Sequence, residues 1–157
     1  MNERLLSLIQ GVVTWGDREI LDSDKERLLF QQLSELMVAA LEMEDGEPVS
    51  DDYHPPEQDI HQIRDIISHN FPHFGYYNIP ESLKENIGDS AVITADAVDD
   101  LADIIKELHE VLWLHSGNHR EGAEWHFKFN FSTHWGSHLS RLIYYVSHIL
   151  VYREQLH

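Results

Sequence analysis

The sequence predicts an all-α bundle of about five helices, with a long aromatic-containing loop between the third helix and the fourth. Three observations carry that prediction. Apolar residues recur at three- and four-residue spacing over several stretches, as on a helix with one buried face. Capping residues stand just ahead of those stretches. No run reads as a confident strand, which argues against doubly wound and sandwich folds. With 157 residues the chain makes one helical domain, 1–157, able to bury a core without a metal or a disulfide.

The first helix is expected over Asn2–Trp15, with Leu5, Leu6, Ile9, Val12 and Val13 on one side and Gly16-Asp17 ending it. The second is expected over Ser23–Met43, opened by a capping box in which Ser23 and Glu26 each satisfy a backbone N–H. Its apolar stripe is Leu29, Leu33, Leu36, Met37 and Ala40. Glu44 to Pro55 reads as an acidic loop without the ligand spacing of a calcium-binding EF-hand. Pro55-Pro56 suits the first turn of a third helix that runs to about His69, with Ile60, Ile63, Ile66 and Ile67 inward. Residues 71–93 read as irregular, with the aromatic segment from Phe71 to Pro80 packed on the bundle and a helical turn near Ser82–Asn86. Gly88-Asp89-Ser90 reads as a turn. The fourth helix begins after Thr94 and ends near His115, carrying Leu101, Ile104, Ile105, Leu108, Val111 and Leu112 as its stripe. Asn118 with Glu121 is a second capping box, opening a final helix to about Arg153 with Gly136 as its weak point.

Composition narrows the function classes. Eleven Lys and Arg stand against 28 Asp and Glu, a formal net charge of -17. That field repels phosphate backbones and anionic lipids, so nucleic acid and membrane are not the expected partners. Without cysteine there is no disulfide, no thiol nucleophile and no Cys-based zinc site. No apolar run approaches membrane-spanning length and no signal peptide is visible, so the expected location is the cytoplasm.

Several segments look familiar as a set. Phe71-Pro72-His73-Phe74-Gly75-Tyr76-Tyr77, Asp99-Asp100-Leu101-Ala102-Asp103-Ile104, Trp125-His126-Phe127-Lys128-Phe129 and His134-Trp135-Gly136-Ser137-His138-Leu139 occur in that order. Together they resemble a bacterial family of domains of unknown function, number 5063, over roughly residues 24 to 143, and the tail after Leu142 looks longer than the usual ending. The resemblance implies a helical fold and a bacterial origin, and it supplies no reaction.

The residues that could carry chemistry sit on the last two helices. His134 and His138 are four apart, on one side of a helix with Phe127, Phe131, Trp135, Leu142 and Ile149, so they are expected to point inward or toward a cleft. The fourth helix offers Asp100, Asp103 and Glu107 beside its apolar stripe. In one reading these carboxylates hydrogen-bond the histidines and lock two helices in register. In the other they bind zinc, iron or nickel, although the Glu-x-x-His pairs of di-iron bundles and the His-Glu-x-x-His of metalloproteases are absent. Trp125 and Phe129 face away from Phe127 and Phe131 and are candidates, with Tyr144 and Tyr152, for a groove or interface. The final turns are apolar almost all round, which places them centrally in the bundle or against a second copy in a homodimer. The function expected from these features is a non-enzymatic module that binds another protein, with no cofactor. The alternative is a metal-binding bundle or metal-dependent enzyme using His134 and His138 with a divalent transition ion.

Overall fold

The computed structural model describes residues 1–49, 52–83 and 86–152. Its helices are α1 (Glu3–Asp17), α2 (Lys25–Glu42), α3 (Ile60–Asn70), α4 (Ala97–Ser116), α5 (Arg120–Asn130) and α6 (Gly136–Tyr152). A π turn, Phe131–Trp135, joins α5 to α6, so the last two helices form one rod, and the described residues make a bundle of five rods. A two-stranded hairpin, β1 (Tyr76–Pro80) and β2 (Val92–Asp96), lies between α3 and α4.

The hub is α4, which packs against α1, α3, α5 and α6. Leu101, Ile104, Ile105, Leu108 and Val111 are fully buried along its stripe. The rod is fastened to the same core by Phe127, Trp135, Leu139, Leu142 and Val146. Its outer face leaves Tyr144, Val151 and Tyr152 exposed, on the segment expected either at the centre of the bundle or against a second copy. No helix among the described residues is long and apolar enough to cross a membrane.

The expected irregular segment 71–93 is corrected by the hairpin. Its strands are antiparallel, pairing Tyr77 with Ala95 and Ile79 with Ile93. Tyr77, Ile79, Ile93 and Ala95 lie on the covered side while their neighbours face water. The aromatic segment ahead of it does pack on the bundle: Phe71 is buried against Trp15, their ring centres 5.0 Å apart, and Phe74 stacks on Phe71 at 4.5 Å. Gly88 has φ 91°, and the Asp89 N–H bonds the Asn86 carbonyl, so Gly88-Asp89-Ser90 lies in a turn. The helical turn expected at Ser82–Asn86 falls partly on Lys84 and Glu85, outside the described residues.

Three helix starts also differ from expectation. The Ser23–Glu26 box is not formed: Glu26 is buried, and its Oε1 lies 3.1 Å from His73 Nε2, while Asp24 occupies the cap position without a capping bond. Helix α3 begins after Asp59, whose carboxylate accepts from the His61 and Gln62 N–H groups, four residues beyond Pro55-Pro56. Asn118 does not open α5. It sits at φ 63°, a left-handed conformation that asparagine tolerates, and closes the end of α4 instead. Helix α4 itself is capped by Asp96, the last residue of β2, which accepts from the Val98 N–H at 3.0 Å. The hairpin therefore hands the chain directly into the helix that carries the carboxylates.

Candidate functional site

Asp100, Asp103, Glu107 and Glu110 leave α4 at steps of three and four, which places them on one line. Opposite them the rod presents His126, Asn130, His134 and His138, each four residues apart. Four residues of plain α-helix overshoot a full turn by about 40°, so three such steps would carry His138 about 120° away from His126. The π turn corrects this drift. It closes with the Gly136 N–H on the Phe131 carbonyl, five residues back, and so takes an additional residue into the turn. One acidic line therefore meets one histidine line along the whole seam.

At the inner end, Asp100 is 3% exposed and has two hydrogen-bond donors and one ion-pair partner. The Tyr77 hydroxyl donates to Oδ2 at 2.6 Å, His138 Nδ1–H donates to Oδ1 at 2.7 Å, and Arg141 Nη2 lies 3.4 Å from the same oxygen. Burial, then the hydrogen bond to Asp100, raises the Tyr77 pKa and keeps the phenol a donor. Asp103 Oδ2 lies 3.6 Å from His138 Nε2. Burial raises the Asp103 pKa, and the opposing pull of His138 offsets only part of that. In the middle, Glu107 accepts from His134 Nδ1–H at 2.9 Å and from the Asn130 amide at 2.8 Å. Burial works against its charge, but hydrogen bonds with His126, His134 and Asn130 outweigh burial and hold its pKa below the usual range.

At the outer end, His126 Nε2 donates to Glu110 at 3.0 Å and lies 3.7 Å from Glu107. Burial disfavours its charge, but the hydrogen bonds and charges of Glu107 and Glu110 win and push its pKa up to about 9. The Asn130 amide nitrogen lies 2.8 Å from the same ring nitrogen, a donor facing a donor once the ring is charged, so the charge rests on the two carboxylates. A folded pKa above the ordinary histidine value of 6.5 stabilises the fold fully below about pH 6.5, and that contribution is lost as pH rises through about 9. Wild type is therefore expected to lose on the order of 2–3 kcal/mol between neutral pH and about pH 10 that His126→Gln does not lose. Urea unfolding of both chains across that range measures it; equal slopes would mean His126 is not held as a cation.

Asp100, Asp103, Glu107, His134 and His138 thus lie on one seam, which runs from the buried Asp100 out to His134, 48% exposed. Sequence reasoning missed His126, Asn130, Glu110, Tyr77 and Arg141. The signal for the first two was the same four-residue step extended backward from His134. The other candidate set is not brought together. Trp125 stacks on Phe129 on α5, ring centres 4.7 Å apart, while Tyr144 and Tyr152 bracket His148 on α6.

Two trios on the seam bring one ligand-capable atom each to within 4.8 Å of one another: Asp103, His134 and His138, and Glu107, Glu110 and His126. They differ in chemistry. In the second, the imidazolium of His126 already supplies the cation, so a metal would have to displace a proton. In the first, both imidazoles have Nδ1 tied to a carboxylate, His138 to Asp100 and His134 to Glu107. That bond fixes the ring and leaves Nε2 as the nitrogen with a lone pair when the ring is neutral, the arrangement that metal-binding histidines use.

No curated protein and no solved structure matches the chain. A family model described as a domain of unknown function (DUF5063) matches residues 25–151. The match runs through the tail that looked longer than the usual ending, and it takes in α2, the hairpin, the whole acidic line and the whole histidine line. The chain belongs to this family of domains of unknown function, DUF5063.

Proposed function

We propose that the chain is a metal-binding helical bundle, holding one divalent transition ion between Asp103 of α4 and the Nε2 atoms of His134 and His138. The observation that carries this reading is the grouping of Asp103, His134 and His138, one ligand-capable atom of each within 4.8 Å of the others, with both imidazoles oriented through Nδ1 by a carboxylate. Two imidazoles and one carboxylate suit zinc, iron or nickel, and three protein ligands leave coordination positions open to water or an external ligand. The half-exposed His134 gives the ion a route from solvent.

Protein purified without an affinity tag is expected to take up about one zinc or cobalt ion per chain, with cobalt giving a visible absorption band from its nitrogen ligands. Replacing both histidines, His134→Ala with His138→Ala, should weaken binding by about 100-fold or more. Substoichiometric metal that does not respond to that double replacement would end the metal reading.

A second reading, a protein-interaction module, is supported by the Trp125–Phe129 stack, where Phe129 is 47% exposed. The net charge of -17 points that module toward basic partners rather than nucleic acid. Continuation of the exposed Tyr144–His148–Tyr152 ladder onto a second copy is the form a homodimer would take.

A further inference from the structure

Away from the histidine seam, the surface carries two hollows that adjoin at Met43. The larger is a cleft of about 640 Å³ between α1 and α2, floored by Leu5, Leu8, Val38 and Ala39. Val38 is 53% exposed there. The smaller, about 360 Å³, lies where the segment Glu44–Val49 crosses α5 beside Trp125. Gly46 brings its backbone against that indole: a Cβ added there would sit 3.8 Å from Trp125 Cδ1. Neither hollow shares a residue with the proposed metal ligands.

The rims are acidic. Glu35 and Glu42 edge the cleft, and Glu44, Glu47, Glu121 and Glu124 edge the smaller hollow. Glu35 is within 3.8 Å of Arg4, and Glu124 holds the Met1 ammonium. Among the described residues, Glu42, Glu44, Glu47 and Glu121 have no ion-pair partner and stand in solvent. An apolar floor beside uncompensated carboxylates, on a chain of net charge -17, fits one occupant in particular. A second copy would bring the same acidic rims together, and an anionic lipid surface would be repelled. A basic amphipathic segment would satisfy both parts, because its apolar face fills a groove while its cations meet the rim.

We propose that this double hollow is the docking site for a basic amphipathic helix of a partner protein, with apolar side chains in the α1–α2 cleft and Lys or Arg against Glu42, Glu44, Glu47 and Glu121. A cation entering the smaller hollow over the ring face of Trp125 left free by Phe129 would gain attraction of the cation–π kind. The thioether of Met43 sits where the two hollows join, and a flexible methionine adapts its shape to different apolar side chains. The proposal goes beyond the metal reading and does not depend on it.

The test uses a fluorescent Leu/Lys peptide of about 18 residues, or five helical turns, with leucines on one face. Two controls accompany it: a scrambled peptide of the same composition and a Leu/Glu counterpart. Anisotropy should show saturable one-to-one binding of the amphipathic Leu/Lys peptide, at least about tenfold tighter than the scramble, and none of the Leu/Glu peptide. Glu44→Lys with Glu47→Lys and Glu121→Lys, all at exposed positions, should weaken binding about tenfold or more, and so should Val38→Asp. Raising salt from about 50 to about 500 mM should weaken the wild type much more than the triple variant. Equal binding of the scramble, or wild-type affinity in both variants with unchanged circular dichroism, would overturn the proposal. So would self-association of the chain that Val38→Asp abolishes, because the groove would then belong to a second copy.

Discussion

Asp100→Ala is expected to destabilise the fold by about 3–5 kcal/mol, the largest effect of any single side chain on the seam. The reason is what the replacement leaves behind. Asp100 is buried, and its two oxygens serve the Tyr77 hydroxyl, His138 Nδ1–H and the Arg141 guanidinium at once. Alanine removes every one of those acceptors. Arg141 is then a partly buried cation without its carboxylate, and the Tyr77 hydroxyl on β1 loses the bond that ties the hairpin to α4. Asp100→Asn keeps an acceptor for Tyr77 but not the charge, and should fall between alanine and wild type. Asp103→Ala serves as the comparison: Asp103 is more exposed, and its contact with His138 is longer, at 3.6 Å, so its loss should cost about 1 kcal/mol or less. Urea unfolding at neutral pH reads all three. If Asp100→Ala cost no more than Asp103→Ala, the buried junction of Tyr77, His138 and Arg141 would not be a stabilising unit. The same replacement should weaken metal binding about 10- to 100-fold, because His138 loses the group that fixes its ring.

Much of this seam was legible in the sequence because helical spacing is a local property. The stripe of α4 fixed which way Asp100, Asp103 and Glu107 had to lean, and the step from His134 to His138 put two imidazoles on one side of a helix. The family resemblance was legible as well, since three of the four segments that carry it lie on these same elements. The hairpin was not. Tyr76-Tyr77-Asn78-Ile79-Pro80 and Val92-Ile93-Thr94-Ala95-Asp96 do contain aromatic and β-branched residues that favour strands. But Pro80 and Asn78 weaken the first strand as a pattern, and the two strands meet across a connection too long to signal a tight turn. Their stability comes from Tyr77 and Ala95 packing on the bundle, a tertiary effect that no local window contains. The capping boxes failed for a related reason. Glu26 and Asn118 satisfy the sequence pattern, but each finds a use elsewhere, Glu26 with His73 and Asn118 as the left-handed residue that ends α4. The extent of the histidine line was hidden too, because a uniform four-residue step in an α-helix describes a spiral, and only the π turn makes it a line.

Gly136→Ala is expected to destabilise the protein by about 3 kcal/mol, and the sign of that change is as informative as its size. A glycine inside an ordinary α-helix gains about 1 kcal/mol when it becomes alanine, because alanine loses less backbone freedom on folding. Gly136 is different because its N–H closes the π turn on the Phe131 carbonyl. A Cβ at this position would run into that same carbonyl oxygen and would also lie 3.1 Å from two carbons of the Phe131 ring. A ring can give way by a few tenths of an ångström, but a backbone carbonyl already holding a hydrogen bond cannot move without opening the turn. Relief requires the segment to rewind toward plain α-helix, which rotates α6 against α5. That rotation takes His134 and His138 off the line of Asp100, Asp103 and Glu107 and disturbs the packing of Leu139, Leu142 and Val146 in the core. Gly136→Ala should therefore lower the urea midpoint and weaken zinc or cobalt binding together, although residue 136 carries no side chain that could reach the ion. Ser137→Ala, one residue on and exposed, supplies the helix-propensity control and should change neither by much. An alanine variant at 136 as stable as wild type, or more so, would mean that the chain runs through 131–135 as plain α-helix. The alignment of the histidine line would then need another cause.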